Sequence, residues 1–209
     1  MSGVTEVMKE EIEKALPNRF KFTRRRALYD YIYTSKKLIN LSGKRLQSKR
    51  NHINRFKAQQ PDWQYISITE NPDEVERCKE MSKKWYDINQ ATSDESLDFD
   101  YKATSVFLDN FEEMELRGGA LEVDGEIIAF SLGAKLNKDT FDVHVEKAFA
   151  SIQGAYPLIN QQFVLNEASE FKYINREEDL GLPSLRKAKL SYRPDILLKK
   201  YIVKEKDAK

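Results

Sequence analysis

The sequence predicts a mixed α/β fold, an α+β arrangement in which helices cover both faces of a mixed sheet. Three observations carry that prediction. Apolar residues recur at helical spacing through the first half of the chain, residues 118–146 read as three strands in succession, and helix, strand, helix and strand follow. At 209 residues, with 40% hydrophobic and 33% charged residues, the chain can bury a substantial core under a well-solvated surface.

Residues 5–16 carry the amphipathic pattern of a helix that Pro17 closes. Arg24, Arg25, Arg26 and the aromatic run 29–33 follow, and the stretch 1–40 reads as an N-terminal extension ahead of a domain over 41–204 and a flexible tail over 205–209. A helix opens at Ser42 or Gly43 and runs to Pro61, burying Leu46, Ile53 and Phe56. Residues 63–68 alternate as a short strand. Asn71, Pro72, Asp73 and Glu74 then resemble a helix start with Asn71 as cap, and Val75, Cys78, Met81, Trp85 and Ile88 mark its buried side. Residues 93–100 read as a polar loop and 101–114 as another helix.

Strands at 118–123 and 127–134 meet at the tight turn Asp124-Gly125, and the second is apolar enough for the centre of a covered sheet. Residues 140–146 alternate as the next strand. A helix over 151–168, a strand over 171–175, a charged loop, a helix over 182–190 and a strand over 196–203 complete the order.

A formal net charge of +1 gives no reason for general nucleic-acid affinity, though local clusters still count. The single cysteine, Cys78, excludes an internal disulfide framework and a cysteine-based zinc site, and its helical spacing makes it a core residue. No metal site is expected. The N-terminus lacks an export pattern and no run approaches the roughly 20 apolar residues that span a bilayer, so a cytoplasmic location is expected. Neither the dinucleotide fingerprint, the phosphate loop nor the Gly-x-Ser-x-Gly elbow is present.

Four clusters could carry chemistry. His144 and Glu146 lie two apart on a strand, with Asp142 on the same expected face, so a carboxylate could orient the imidazole for proton transfer. A solvated strand face accounts for the same triplet. Gln153, Gly154 and Ala155 open a helix straight after that strand, where first-turn amides favour an anion; a structural turn braced by Pro157 is the alternative. Asn175, Glu177 and Asp179 lie in a loop leaving a strand, suited to an ammonium group or its proton, although the following helix N-terminus would also favour Asp179. Lys49, Arg50 and Asn51, within a run holding Lys44, Arg45, Arg55 and Lys57 but no acid, could contact phosphate or form a solvated face; Arg186, Lys189 and Tyr192 could also contact phosphate, although basic residues near a helix C-terminus have a dipole explanation.

The ordered motifs GKRLQSKRNHINRF (43–56), FDVHVEKA (141–148), GAYPLIN (154–160), YINREEDLG (173–181) and LRKAKLSY (185–192) together resemble the C-terminal-domain family of phosphatidylglycerol lysyltransferase, in particular its small soluble bacterial members. The resemblance implies an acyl-CoA N-acyltransferase-like (GNAT-like) fold, often in two tandem copies and related to the Fem-type aminoacyl transferases. Residues 1–40 would then be the remnant of a preceding copy, and a homo-oligomer or a partner chain would complete the cleft. It further implies an aminoacyl-tRNA donor and a lipid headgroup, amine or hydroxyl acceptor. Arg50, Arg186 and Lys189 would contact tRNA or a phosphate, and Asn175, Glu177 and Asp179 would line the aminoacyl end of the cleft. An acyl-CoA donor with its pyrophosphate at residues 153–155, or a non-catalytic RNA- or protein-binding module, are the alternatives.

Overall fold

The amphipathic start forms as expected in the computed structural model, which describes residues 1–90 and 95–206. After β1 (Val4–Thr5), α1 spans Glu6–Ala15, and the Thr5 hydroxyl caps it by accepting from the Met8 amide. Then come β2 (Phe20–Arg24), β3 (Asp30–Thr34), α2 (Ser35–Asn40) and α3 (Gln47–Gln59), the last entered through a 3₁₀ turn over Lys44–Leu46. β4 (Gln64–Ser67) and α4 (Glu74–Asn89) follow.

Asn71 does not cap α4. Its side-chain amide donates to the Ser67 carbonyl, so it closes the preceding turn instead. Of the expected buried stripe, Val75, Cys78 and Met81 are buried, whereas Ile88 is exposed. The loop expected over 93–100 is helical from Glu95, where α5 (Glu95–Asp109) begins; residues 93 and 94 lie outside the described residues. β5 (Arg117–Val123), β6 (Glu126–Lys135) and β7 (Thr140–Ala148) form the expected meander. α6 (Ala155–Glu167), β8 (Tyr173–Asn175) and α7 (Pro183–Ser191) complete the expected order. The last expected strand is divided into β9 (Ile196–Leu198) and β10 (Lys200–Glu205), so Glu205 belongs to a strand; residues 207–209 of the expected tail lie outside the described residues.

Two compact units result, a terminal one of Met1–Tyr33 with Asn175–Lys209 and a central one of Thr34–Ile174. The boundary expected at residue 40 thus falls at residue 33. Residues 1–33 are not a lone extension either. In the terminal unit β10 pairs antiparallel with both β1 and β2, burying Val4, Tyr201 and Val203, while β3 pairs antiparallel with β9. Those partners lie more than a hundred residues apart, which local patterning does not register.

In the central unit β4, β5, β6 and β7 are neighbours in that order, all antiparallel. One face packs on α4 and α5 through Ala120, Phe130, Leu132 and Val145 against Cys78, Met81, Leu108 and Phe111. The other face packs on α6, with Phe141 edge-on to Phe163 at 5.8 Å. Helices therefore cover both faces of the sheet, as the α/β reading of the sequence expects. Among the described residues no helix is long and apolar enough to cross a membrane.

Candidate active site

The polar residues of β7 do not share one face. Leu132 pairs with Val145 but Gly133 pairs with Val143, so β7 carries one extra residue, His144, opposite β6. Such a bulge interrupts the two-residue alternation and re-aims the side chain at the insertion. Glu146 consequently lies on the α6 face, where its Oε2 accepts from Asn160 Nδ2 at 2.8 Å. His144 turns to the α5 face, its ring stacked on Phe107 at 5.0 Å and 5° between planes. Asp142 pairs with Ala134, which packs into the α4–α5 core, so it shares the face of His144. The expected triplet is thus a pair and a single residue, all three half-buried.

Where β7 ends, side chains from both helical layers converge. Trp85 Nε1 donates to the Ala148 carbonyl at 3.1 Å and to the Tyr156 hydroxyl at 3.3 Å. Lys147 is buried, ion-paired with Asp100, and its ammonium lies 3.9 Å from the Trp85 ring centroid. Burial lowers the Lys147 pKa from the ordinary lysine value, while the Asp100 carboxylate acts against that shift. Sequence reading gave Phe107, Trp85, Tyr156 and Asp100 no part here, because each looks like a core or loop position in its own helix.

The turn from β7 into α6 is closed by α3. Gly154 has φ +96°, and a Cβ there would lie 2.4 Å from the His52 carbonyl oxygen and 2.8 Å from Phe56 Cβ. What Gly154 admits is therefore the backbone of α3. The buried Ala155 donates its amide to the Ile152 carbonyl at 3.2 Å. Gln153 joins the two elements on the surface, accepting from Arg55 Nη1 at 3.0 Å with His52 Nδ1 3.4 Å from its Nε2. Arg55 and His52 are exposed, as are Lys44 and Arg45 at the start of the same basic stretch.

Arg50, expected to meet phosphate, instead reaches back to donate to the carbonyls of Leu41 and Gly43 and to Gln47 Oε1. It braces the entrance to α3, which has no side-chain cap of its own. Asn51 is exposed and accepts from Gln47, and Lys49 is half-buried.

The expected cluster around Asp179 forms a closed polar network in the terminal unit. The Asp179 carboxylate is 0% exposed. Arg186 donates to it through Nε at 2.7 Å and Nη2 at 2.9 Å, Arg26 at 3.2 Å, the Tyr31 hydroxyl at 2.5 Å and the Gly181 amide at 2.9 Å. Burial alone would raise its pKa; the Arg186, Tyr31 and Gly181 hydrogen bonds outweigh burial and hold the carboxyl well below the usual range. A carboxylate of such low basicity is a poor proton acceptor at neutral pH.

The other members of that cluster are also spoken for. Buried Asn175 donates to Asp30 at 3.2 Å and accepts from the Glu177 amide at 3.0 Å, while Asp30 pairs with Lys200 at 2.6 Å. Glu177 is half-buried in a left-handed turn, φ +52°. Lys189 is buried and donates to the carbonyls of Arg176 and Glu178, so it faces no phosphate. Tyr192 is buried beneath the Arg176 guanidinium, 4.9 Å from its ring centroid. The loop expected to carry catalysis is therefore tied by hydrogen bonds to its own neighbours.

Comparison with known proteins converges on one group. The family model described as "Phosphatidylglycerol lysyltransferase, C-terminal" matches residues 1–204. A conserved protein of unknown function from Bacteroides thetaiotaomicron VPI-5482 superposes with a TM-score of 0.92 at 46% identity, covering 99% of this chain and 69% of that one. The C-terminal domain of a candidate lysylphosphatidylglycerol synthetase from Agrobacterium fabrum shares the fold, with a TM-score of 0.67 at 11% identity over 97% of this chain and 66% of that one. An uncharacterized protein of Mycoplasmoides gallisepticum, MYCGA3080, is 27% identical over 175 residues, 84% of this chain but only 56% of that relative's length.

Proposed function

Because the chain belongs to the phosphatidylglycerol lysyltransferase C-terminal family, we propose that it is an aminoacyl transferase whose donor is a charged tRNA and whose acceptor is an amine, a hydroxyl or a lipid headgroup. One observation carries the choice of a polyanionic donor. The solvent side of the α3 segment presents Lys44, Arg45 and Arg55 with no acid among them, and Arg55 hydrogen-bonds Gln153 where β7 passes into α6. Donor phosphates on that rim would hold the tRNA acceptor end beside the turn from β7 into α6.

At the bulge, His144 is the group suited to take the acceptor's proton, since imidazole titrates nearest neutrality among side chains and Phe107 fixes its plane. The acceptor nitrogen or oxygen would bond to the aminoacyl carbonyl carbon as the ester bond to the tRNA ribose breaks. The proton accepted by His144 would return to the departing ribose hydroxyl. Orientation of two substrates, rather than covalent chemistry by the protein, would supply most of the acceleration.

The same rim could accept the pyrophosphate of an acyl-CoA, since the exposed Lys44, Arg45 and Arg55 suit either phosphate-bearing donor. The two donors separate in one experiment. The double substitution Arg45→Glu/Arg55→Glu removes two exposed cations, so folding should be unchanged. Filter binding of charged tRNA is expected to weaken by about tenfold or more, with a shallower dependence on salt. Unaltered tRNA binding, with acyl-CoA binding lost instead, would replace the first donor by the second.

A further inference from the structure

At the far end of α6, about 18 Å from its first turn at the helical rise, the central unit holds a polar cavity that the transfer reading does not use. Its volume is about 430 Å³, and Tyr65, Thr69, Glu70, Arg117, Asn166 and Glu167 are among the residues that line it. Glu167 closes α6 and is only 5% exposed. Its Oε1 accepts from the Tyr65 hydroxyl at 3.0 Å and its Oε2 from the Thr69 hydroxyl at 2.6 Å.

This carboxylate is assembled with some care. A Cβ at Gly119 would lie 1.9 Å from the Tyr65 hydroxyl oxygen, so only glycine at that point of β5 lets the phenol cross the strand to reach Glu167. Burial first, then the Glu167 charge and hydrogen bond, pushes the Tyr65 pKa far upward, so the phenol keeps its proton and stays a donor.

What the carboxylate lacks is a cation. Buried charges are normally paired, yet among the described residues no lysine, arginine or histidine forms an ion pair with it. Arg117 is the nearest cation in the lining, but it donates to the Glu167 backbone carbonyl and to Glu170 Oε1, both at 2.5 Å, and lies against the rings of Phe141 and Phe171. With Arg117 matched by Glu170, Glu167 and Glu70 set the sign of the cavity, and the negative end of α6 adds to it.

We infer that this cavity binds a small ligand through a primary ammonium group, with Glu167 as counter-ion and the lining hydroxyls as further acceptors. A carboxylate has about four acceptor positions and two are filled by Tyr65 and Thr69, while an ammonium brings three donors on a compact head. The cavity is of the size that holds small organic ligands rather than a bare ion.

The test uses two probes of matched size and opposite charge, n-butylammonium and butyrate, followed by amide chemical shifts on the labelled full chain. Saturable shifts at Thr69, Glu70 and Asn166 are expected with butylammonium and none with butyrate. Glu167→Gln is expected to weaken butylammonium binding by about tenfold, and Glu70→Gln, at an exposed position that folding tolerates, by about threefold. Absence of saturable shifts, an equal response to butyrate, or affinity unchanged in Glu70→Gln overturns the assignment. None of these readouts depends on transferase activity, so the cavity and the transfer reading can fail separately.

Discussion

Asp179→Asn is expected to cost about 3 kcal/mol of folding stability, because it leaves two arginines facing a neutral amide in a buried network. Both arginine side chains are 35% exposed, which places the cost at the lower end for a broken buried pair. The pH dependence follows from the direction of the shift. The folded-state carboxyl is held below its unfolded value, so its stabilisation is fully present above the ordinary carboxyl range near pH 4 and disappears as the pH falls through the lowered folded value. Urea unfolding of wild type and variant should therefore differ by a constant amount between about pH 5 and 8, and converge in acid. In any transfer assay the variant should lose activity only in proportion to the folded protein lost. Intact stability with abolished turnover would instead return Asp179 to the chemistry.

His144→Gln should show the opposite division, with turnover reduced by about a hundredfold or more and little change in stability. The glutamine keeps a polar group at the bulge but cannot cycle a proton. Phe107→Ala should give a smaller loss, since it frees the ring without removing the base. A His144→Gln enzyme with wild-type turnover would remove the imidazole from the mechanism.

Legibility in the sequence followed the range of the interactions. The meander of β5, β6 and β7 is readable because alternation and the Asp124-Gly125 turn are local signals. The buried face of α4 is readable through Val75, Cys78 and Met81 for the same reason. The bulge is not: Phe141, Val143 and Val145 alternate without interruption, and with both sheet faces covered an apolar residue suits either side. Only the mid-strand Gly133 hints at it.

The cations fail differently. A basic run states where charges lie along the chain, not whether they turn inward, and Arg50, Arg186 and Lys189 all do so to meet carbonyls or a carboxylate. Arg26 and Asp179 are 153 residues apart, and the identity of the neighbours gives no sign of the pairing. Arg55, one of several unremarkable basic residues, becomes a candidate only when Gln153 is placed beside it.

Hydrogen exchange of the full chain, with and without charged tRNA, addresses the donor site most directly. Slowed exchange confined to residues 44–55 and 149–156 is the predicted footprint. Protection of 176–193 alone, with the α3 rim exchanging as in the free protein, would contradict it.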